Sequence, residues 1–155
     1  MEYLMVKWLH ILSSTVLFGA GVGSAFHMFM ASLRGDPRNV HAVARVVVIA
    51  DWVLTTPTAI LQPLTGIYLM RLLGQPITSK WLLWSTVLYV VAIACWLPVV
   101  WLQVRMRDIA RASADSGHCV LPRAYRQRFA WWVALGTAAL FAFLAIFYLM
   151  VFKPY

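Results

Sequence analysis

The chain has 155 residues, of which 63% are hydrophobic and only 12% charged, with a formal net charge of +8. That charged share is about half of what a soluble domain carries, which excludes a water-soluble fold. The basic excess belongs to membrane topology and anionic lipid headgroups rather than to nucleic acid.

A bilayer core takes roughly 20 apolar residues per helix. Four blocks of that length, about 3–32, 41–72, 80–104 and 129–152, use nearly the whole chain. They predict an all-α, four-helix transmembrane bundle forming one domain, with helices over about 3–32, 41–72, 80–108 and 125–152. The opening "MEYLMVK" carries an acid where a secretory signal has a basic region, so it reads as the start of a retained helix. The blocks do not alternate apolar and polar residues, which excludes a β-barrel.

The first helix contains "WLHILSSTVLFGAGVGSAFHM", with a histidine near each end. His10 and His27 are 17 residues apart, so about 25 Å along the axis and rotated by about 100°; one metal ion cannot join them. Ionisable residues in membrane helices are costly and usually face the bundle interior. His10 is therefore a ligand candidate, with Ser13 and Ser14 one turn on to orient its imidazole or to cap local carbonyls. Gly19 and Gly23 have the spacing that lets helices approach closely, either within the bundle or in a homo-oligomer.

The first connection holds Arg34, Arg38 and, just beyond, Arg45. The second helix reads "VVVIADWVLTTPTAILQPLTGIYLM". Asp51 lies inside an apolar run, where a lone carboxylate is expensive, so it should be protonated, paired or hydrated. Matching depths between antiparallel helices puts Asp51 within a turn of His27, a candidate pair, and Gln62 level with His10. Pro57 and Pro63 each remove a helical hydrogen bond. Thr55, Thr56, Thr58 and Thr65 can cap the carbonyls so freed.

The third helix ends "CWLPVVWLQVRMR", with Gln103 and Arg105 marking its cytoplasmic end. The third connection carries Arg107, Arg111, Arg123, Arg126 and Arg128, and a His118–Cys119 pair that is either a partial metal site or plain solvated loop. The fourth helix is apolar apart from Thr137 and serves packing and anchoring. Trp8, Trp81, Trp84, Trp131, Trp132, Tyr148 and Tyr155 fall toward block ends, as interfacial belts require. Counting basic residues by side gives nine at the first and third connections and four elsewhere. That predicts cytoplasmic connections one and three, both termini outside, and a bacterial inner-membrane location.

The stretches "KWLHILSS…FGAGVGSAF", "ADWVLTTPTAILQPLTG", "CWLPVVWLQVRMR" and "LMVFKP" together resemble a bacterial family of predicted integral membrane proteins, domain of unknown function 2269, over essentially the whole chain. The "LHI" histidine with its F-G/A-G stretch, and the "P…LTG" of the second helix, are more distantly similar to HemJ-type membrane protoporphyrinogen oxidases; copper-resistance proteins of the CopD type share the small-helix design. The HemJ likeness implies a haem b ligand at His10. His27 stands where that pattern has a basic residue, which counts against porphyrinogen oxidation. The resulting expectation is a haem b-binding membrane protein with a redox role, exchanging electrons with a quinone or another membrane carrier. Its site would comprise His10 as metal ligand with Ser14, His27, Asp51 and Gln62 nearby. A copper-handling protein using His10, Met1 and Met5, and a non-catalytic partner subunit, are the alternatives.

Overall fold

The computed structural model describes residues 1–74, 76 and 79–153, and all regular structure among them is helical. Helix α1 spans Glu2–Arg34. Helices α2 (Pro37–Ala50) and α3 (Thr56–Leu72) form one continuous rod joined by a π turn, Asp51–Thr55. Helix α4 spans Lys80–Asp115 and α5 spans Arg123–Phe152. Four rods result, each long and apolar enough to cross a bilayer.

Helices α2, α4 and α5 run past their apolar blocks at the basic end, where a polar stretch keeps a buried stripe. Beyond residue 104, α4 continues for three turns because Met106, Ala110 and Ser113 still pack inward. Ion pairs Arg107–Asp108 (2.8 Å) and Arg111–Asp115 (3.7 Å) lie along this extension. The first connection shrinks to Gly35 and Asp36. Gly35 takes the left-handed conformation (φ 73°) that ends α1, and the Asp36 carboxylate accepts from the Arg38 and Asn39 amides at the start of α2, with Pro37 at its first position.

The π turn has a local cause. Pro57 has no N–H and its ring crowds the carbonyl four residues back, so the helix widens just before it. The Thr56 amide and hydroxyl both donate to the Asp51 carbonyl, and the Thr58 hydroxyl to that of Leu54. Pro63 orphans the Ala59 carbonyl, and Tyr89 of α4 supplies the missing donor through its hydroxyl. The threonine hydroxyls at 56, 58 and 65 therefore bond carbonyls other than the two the prolines free, contrary to expectation, and the Thr55 hydroxyl has no partner.

Two different kinds of packing hold the two halves. At the basic end Met28, Val40, Ala44, Val47, Leu102, Met106, Ala110 and Tyr125 form one buried cluster. Fully buried alanines at 44 and 110 let α2 and α4 close together. At the other end a polar seam joins α1 to α3. Helix α4 packs along α5 and α2, whereas α1 and α5 approach each other at few positions. The α1–α5 seam is pinned by Phe18 on Phe147 (5.3 Å) and Phe29 on Phe129 (5.7 Å), with a gap between.

Gly19 and Gly23 do not serve close packing inside the bundle. Both are exposed, and a Cβ added at either meets nothing within 4 Å, so any helix contact through them is with a second molecule. Trp8, Trp84, Trp131 and Tyr148 are exposed near helix ends, as a belt requires, and Tyr155 lies outside the described residues. Trp132 departs from the belt: it is buried and turned inward.

The start of α1, the end of α3, the start of α4 and the end of α5 lie at one end of the bundle. Tyr68 donates to Glu2 there, and Lys153 lies over the Trp81 ring. The nine basic residues lie at the opposite end. The exposed native Cys119, in the 116–122 connection, tests the orientation directly. In a Cys95→Ser background, a membrane-impermeant maleimide is expected to label Cys119 in inside-out vesicles and to spare it in intact cells. Labelling in intact cells would invert the topology.

Candidate functional site

Two polar constellations occupy the bundle interior. The first is built around His10. Thr65 donates its hydroxyl proton to the Leu61 carbonyl (2.8 Å), one turn back along α3. Its oxygen is then an acceptor, and His10 Nδ1–H donates to it at 2.7 Å. That leaves His10 Nε2 with the lone pair, which accepts from the Gln62 amide at 3.2 Å. The Gln62 carbonyl oxygen accepts in turn from the Ser13 hydroxyl. With the Gln62 amide in this orientation, the hydrogen count puts the imidazole proton on Nδ1. The ring also lies against Gly66, where an added Cβ would sit 3.4 Å from His10 Cε1. That is ordinary van der Waals distance, so the ring packs directly on this stretch of α3.

Gln62 therefore lies where depth-matching put it, and Ser13 and Thr65 complete the group. Ser14 does not: its hydroxyl bonds only the Ile11 carbonyl (2.8 Å). Neither His10 nitrogen is vacant, and the central cavity described below does not border His10. Iron at His10 would need Gln62 to swing off Nε2 and the α1–α3 seam to part. Met1 and Met5 are exposed, and no group of three His, Cys, Asp or Glu side chains among the described residues can hold a metal ion. His118 and Cys119 are both exposed in their connection.

The second constellation surrounds Asp51, and it is not the pair with His27 that the depth argument suggested. His27 is exposed on α1, and its Nδ1–H donates to the Gly23 carbonyl of its own helix (2.9 Å). Asp51 instead points to the other side of α1, into the gap between α1 and α5. Antiparallel depth places two residues level but leaves their angle open, and here the angles diverge.

That gap is a cavity of about 360 Å³, within the usual range for small-molecule pockets. Aromatic and aliphatic side chains make most of its wall, among them Phe18, Phe29, Trp96, Leu140 and Phe143. Val22 and Phe26 also line it and are 42% and 62% exposed, so it opens sideways at α1. Gly21 and Gly136 face each other's helices across this seam, and a Cβ at either would meet nothing within 4 Å. These glycines make room rather than contact.

Asp51 Oδ2, Thr55 Oγ1, Gln103 Oε1 and Trp132 Nε1 are buried without a hydrogen-bond partner, and all four residues line this cavity. They come from the π turn, α4 and α5. Gln103 and Trp132 carried no site signal in sequence: Gln103 read as the end of the third helix, and Trp132 as a belt residue. Buried polar groups are normally paired, and an unpaired one costs about 1–3 kcal/mol. All four converge on one apolar cavity, with Thr55 and Gln103 lying beside the Asp51 carboxyl.

Comparison with curated proteins and with solved structures returns no match. Residues 4–154 match the family described as predicted integral membrane protein, domain of unknown function 2269. With four membrane-length helices and that match over almost its full length, the chain belongs to this family of integral membrane proteins.

Proposed function

We propose that the protein binds a lipophilic molecule with a hydrogen-bonding head, taken from the bilayer through the opening between α1 and α5. The observation that carries this is the convergence of four unpartnered buried polar atoms on one apolar cavity. A quinone matches the chemistry. Its carbonyls accept from Trp132 Nε1–H and the Thr55 hydroxyl, and the hydroxyls of the quinol donate to Gln103 Oε1 and Asp51. A wall holding both donors and acceptors suits both oxidation states, and the aromatic lining suits the ring. The location that goes with this is the bacterial inner membrane, with the basic end in the cytoplasm, supported by the nine-to-four distribution of basic residues.

Haem b at His10 is a second proposal, on one observation. Donation from Nδ1 to Thr65 leaves Nε2 as the basic nitrogen, the arrangement that ligating histidines use. Haem would supply one-electron chemistry there, and Thr65 would hold the ring's orientation.

One preparation tests both. Protein purified in mild detergent is extracted with organic solvent, and the extract is analysed by mass spectrometry and by pyridine haemochrome. A co-purifying quinone is expected. Calorimetric titration of delipidated protein with a short-tailed benzoquinone should saturate at one per chain, and Gln103→Leu should weaken it about tenfold, the worth of one buried hydrogen bond. An apolar-only extract with no titratable quinone site would refute the quinone. A spectrum without porphyrin, after expression with ample haem, would refute the haem.

A further inference from the structure

A separate cleft at the basic end lies between α2 and α4, about 430 Å³ in volume and lined by His41, Arg45, Arg107, Asp108 and Arg111. Three guanidiniums therefore face one carboxylate. That carboxylate holds one of them in place: Arg107 Nε and Nη2 donate to Asp108 Oδ1 at 3.0 and 2.8 Å. The remaining Arg107 N–H groups stay available. Arg111 is only loosely drawn away, 3.7 Å from an exposed Asp115. His41 Nδ1–H reaches the Arg107 carbonyl at 3.4 Å, which places the two residues level within the register set by the buried α2–α4 packing.

The register fixes depth. His41 is level with Arg107, so Arg45 lies one turn, about 6 Å, nearer the bilayer. Arg45 is exposed, and its neighbours Val46 and Ile49 are exposed apolar residues. A long basic side chain in that position runs along apolar surface toward the headgroup layer. The cleft thus spans the boundary, with Arg45 at its bilayer side and Arg111 at its aqueous side.

We propose that this cleft binds a phosphate group, carried by an anionic phospholipid whose headgroup sits between α2 and α4. Guanidiniums present paired N–H donors that match phosphate oxygens, and a basic pocket between membrane helices at the headgroup level is the setting in which anionic lipids are held. The remaining basic residues, Arg123 and Arg126 among them, lie outside this cleft and contribute only to the general field.

The test is thermal unfolding of the full chain in detergent with added phosphatidylglycerol, phosphatidylcholine or inorganic phosphate. Wild type is expected to gain a saturable rise in midpoint with phosphatidylglycerol and none with phosphatidylcholine. The exposed positions allow Arg45→Gln/Arg111→Gln without a folding defect. That variant should bind about twenty-fivefold more weakly, from about fivefold per arginine. Arg123→Gln/Arg126→Gln, with the same net charge, should keep wild-type affinity. A saturable rise with inorganic phosphate alone, lost in the first variant, would keep the phosphate site and assign it to a soluble ligand. Equal weakening in both double variants, or no preference for phosphatidylglycerol, would overturn the site.

Discussion

Asp51→Leu is expected to leave the bundle as stable as wild type, or more so, while lowering affinity for a benzoquinone at least tenfold. Asp51 is 3% exposed, and its Oδ2 has no partner. A buried polar group of this kind costs the fold energy, and an apolar residue of similar size removes that cost. The same change removes a donor or acceptor from the proposed quinone head, worth about 1.5–3 kcal/mol if the carboxyl is charged. Asp51→Asn keeps the shape and a polar end, so its loss should be smaller. Detergent unfolding curves and calorimetric titrations on the same preparations separate the two effects. A loss of more than about 2 kcal/mol in stability with unchanged binding would make Asp51 a structural residue.

Tyr125→Ala is expected to have the opposite profile, with about 3–4 kcal/mol of lost stability. Tyr125 is 1% exposed and stacks on Phe129, which stacks on Trp132. It stands at the first turn of α5, outside the apolar block, where water makes burial of an aromatic ring count in full. Ser32 spends its proton on the Met28 carbonyl (2.7 Å), so the Tyr125 hydroxyl donates to Ser32 (2.7 Å). Tyr125→Phe should therefore cost only about 1 kcal/mol, the net worth of that bond. Equal losses from both substitutions would show that the hydroxyl, not the ring, carries the contact.

The helices were legible because a bilayer demands long apolar runs, and nothing else in this chain has that length. Part of the His10 group was legible too. "LHILSS" contributes His10 and Ser13, and "QPLTG" contributes Gln62, Thr65 and Gly66, so the short motifs that draw the eye in helices one and two are the two sides of one packed seam. Depth alone brought Gln62 to His10. It could not choose Ser13 over Ser14, because they differ by about 100° of rotation and not by depth. The Asp51 cavity was hidden for the same reason. In a helix as apolar as α5, no polar stripe tells which side faces the bundle, so Trp132 looked like its neighbour Trp131, which does face outward. His27 shows the converse: a polar residue satisfied by its own helix can point away from the interior.

The π turn has a consequence for how this chain can vary. Below it, the faces of α2 are set by contact with α4; above it, those of α3 are set by the His10 seam. An unbroken α-helix would dictate one angle between these faces, at 100° per residue. The widened turn supplies an offset, so the two halves of the rod are phased independently, like two gears joined by a slipped tooth. Loss of a single residue between Asp51 and Thr55 would turn one half by about 100° against the other. Either Asp51 would leave its cavity, or Gln62 and Thr65 would leave His10. Packing on both sides of the turn therefore fixes the residue count from His41 to Thr65.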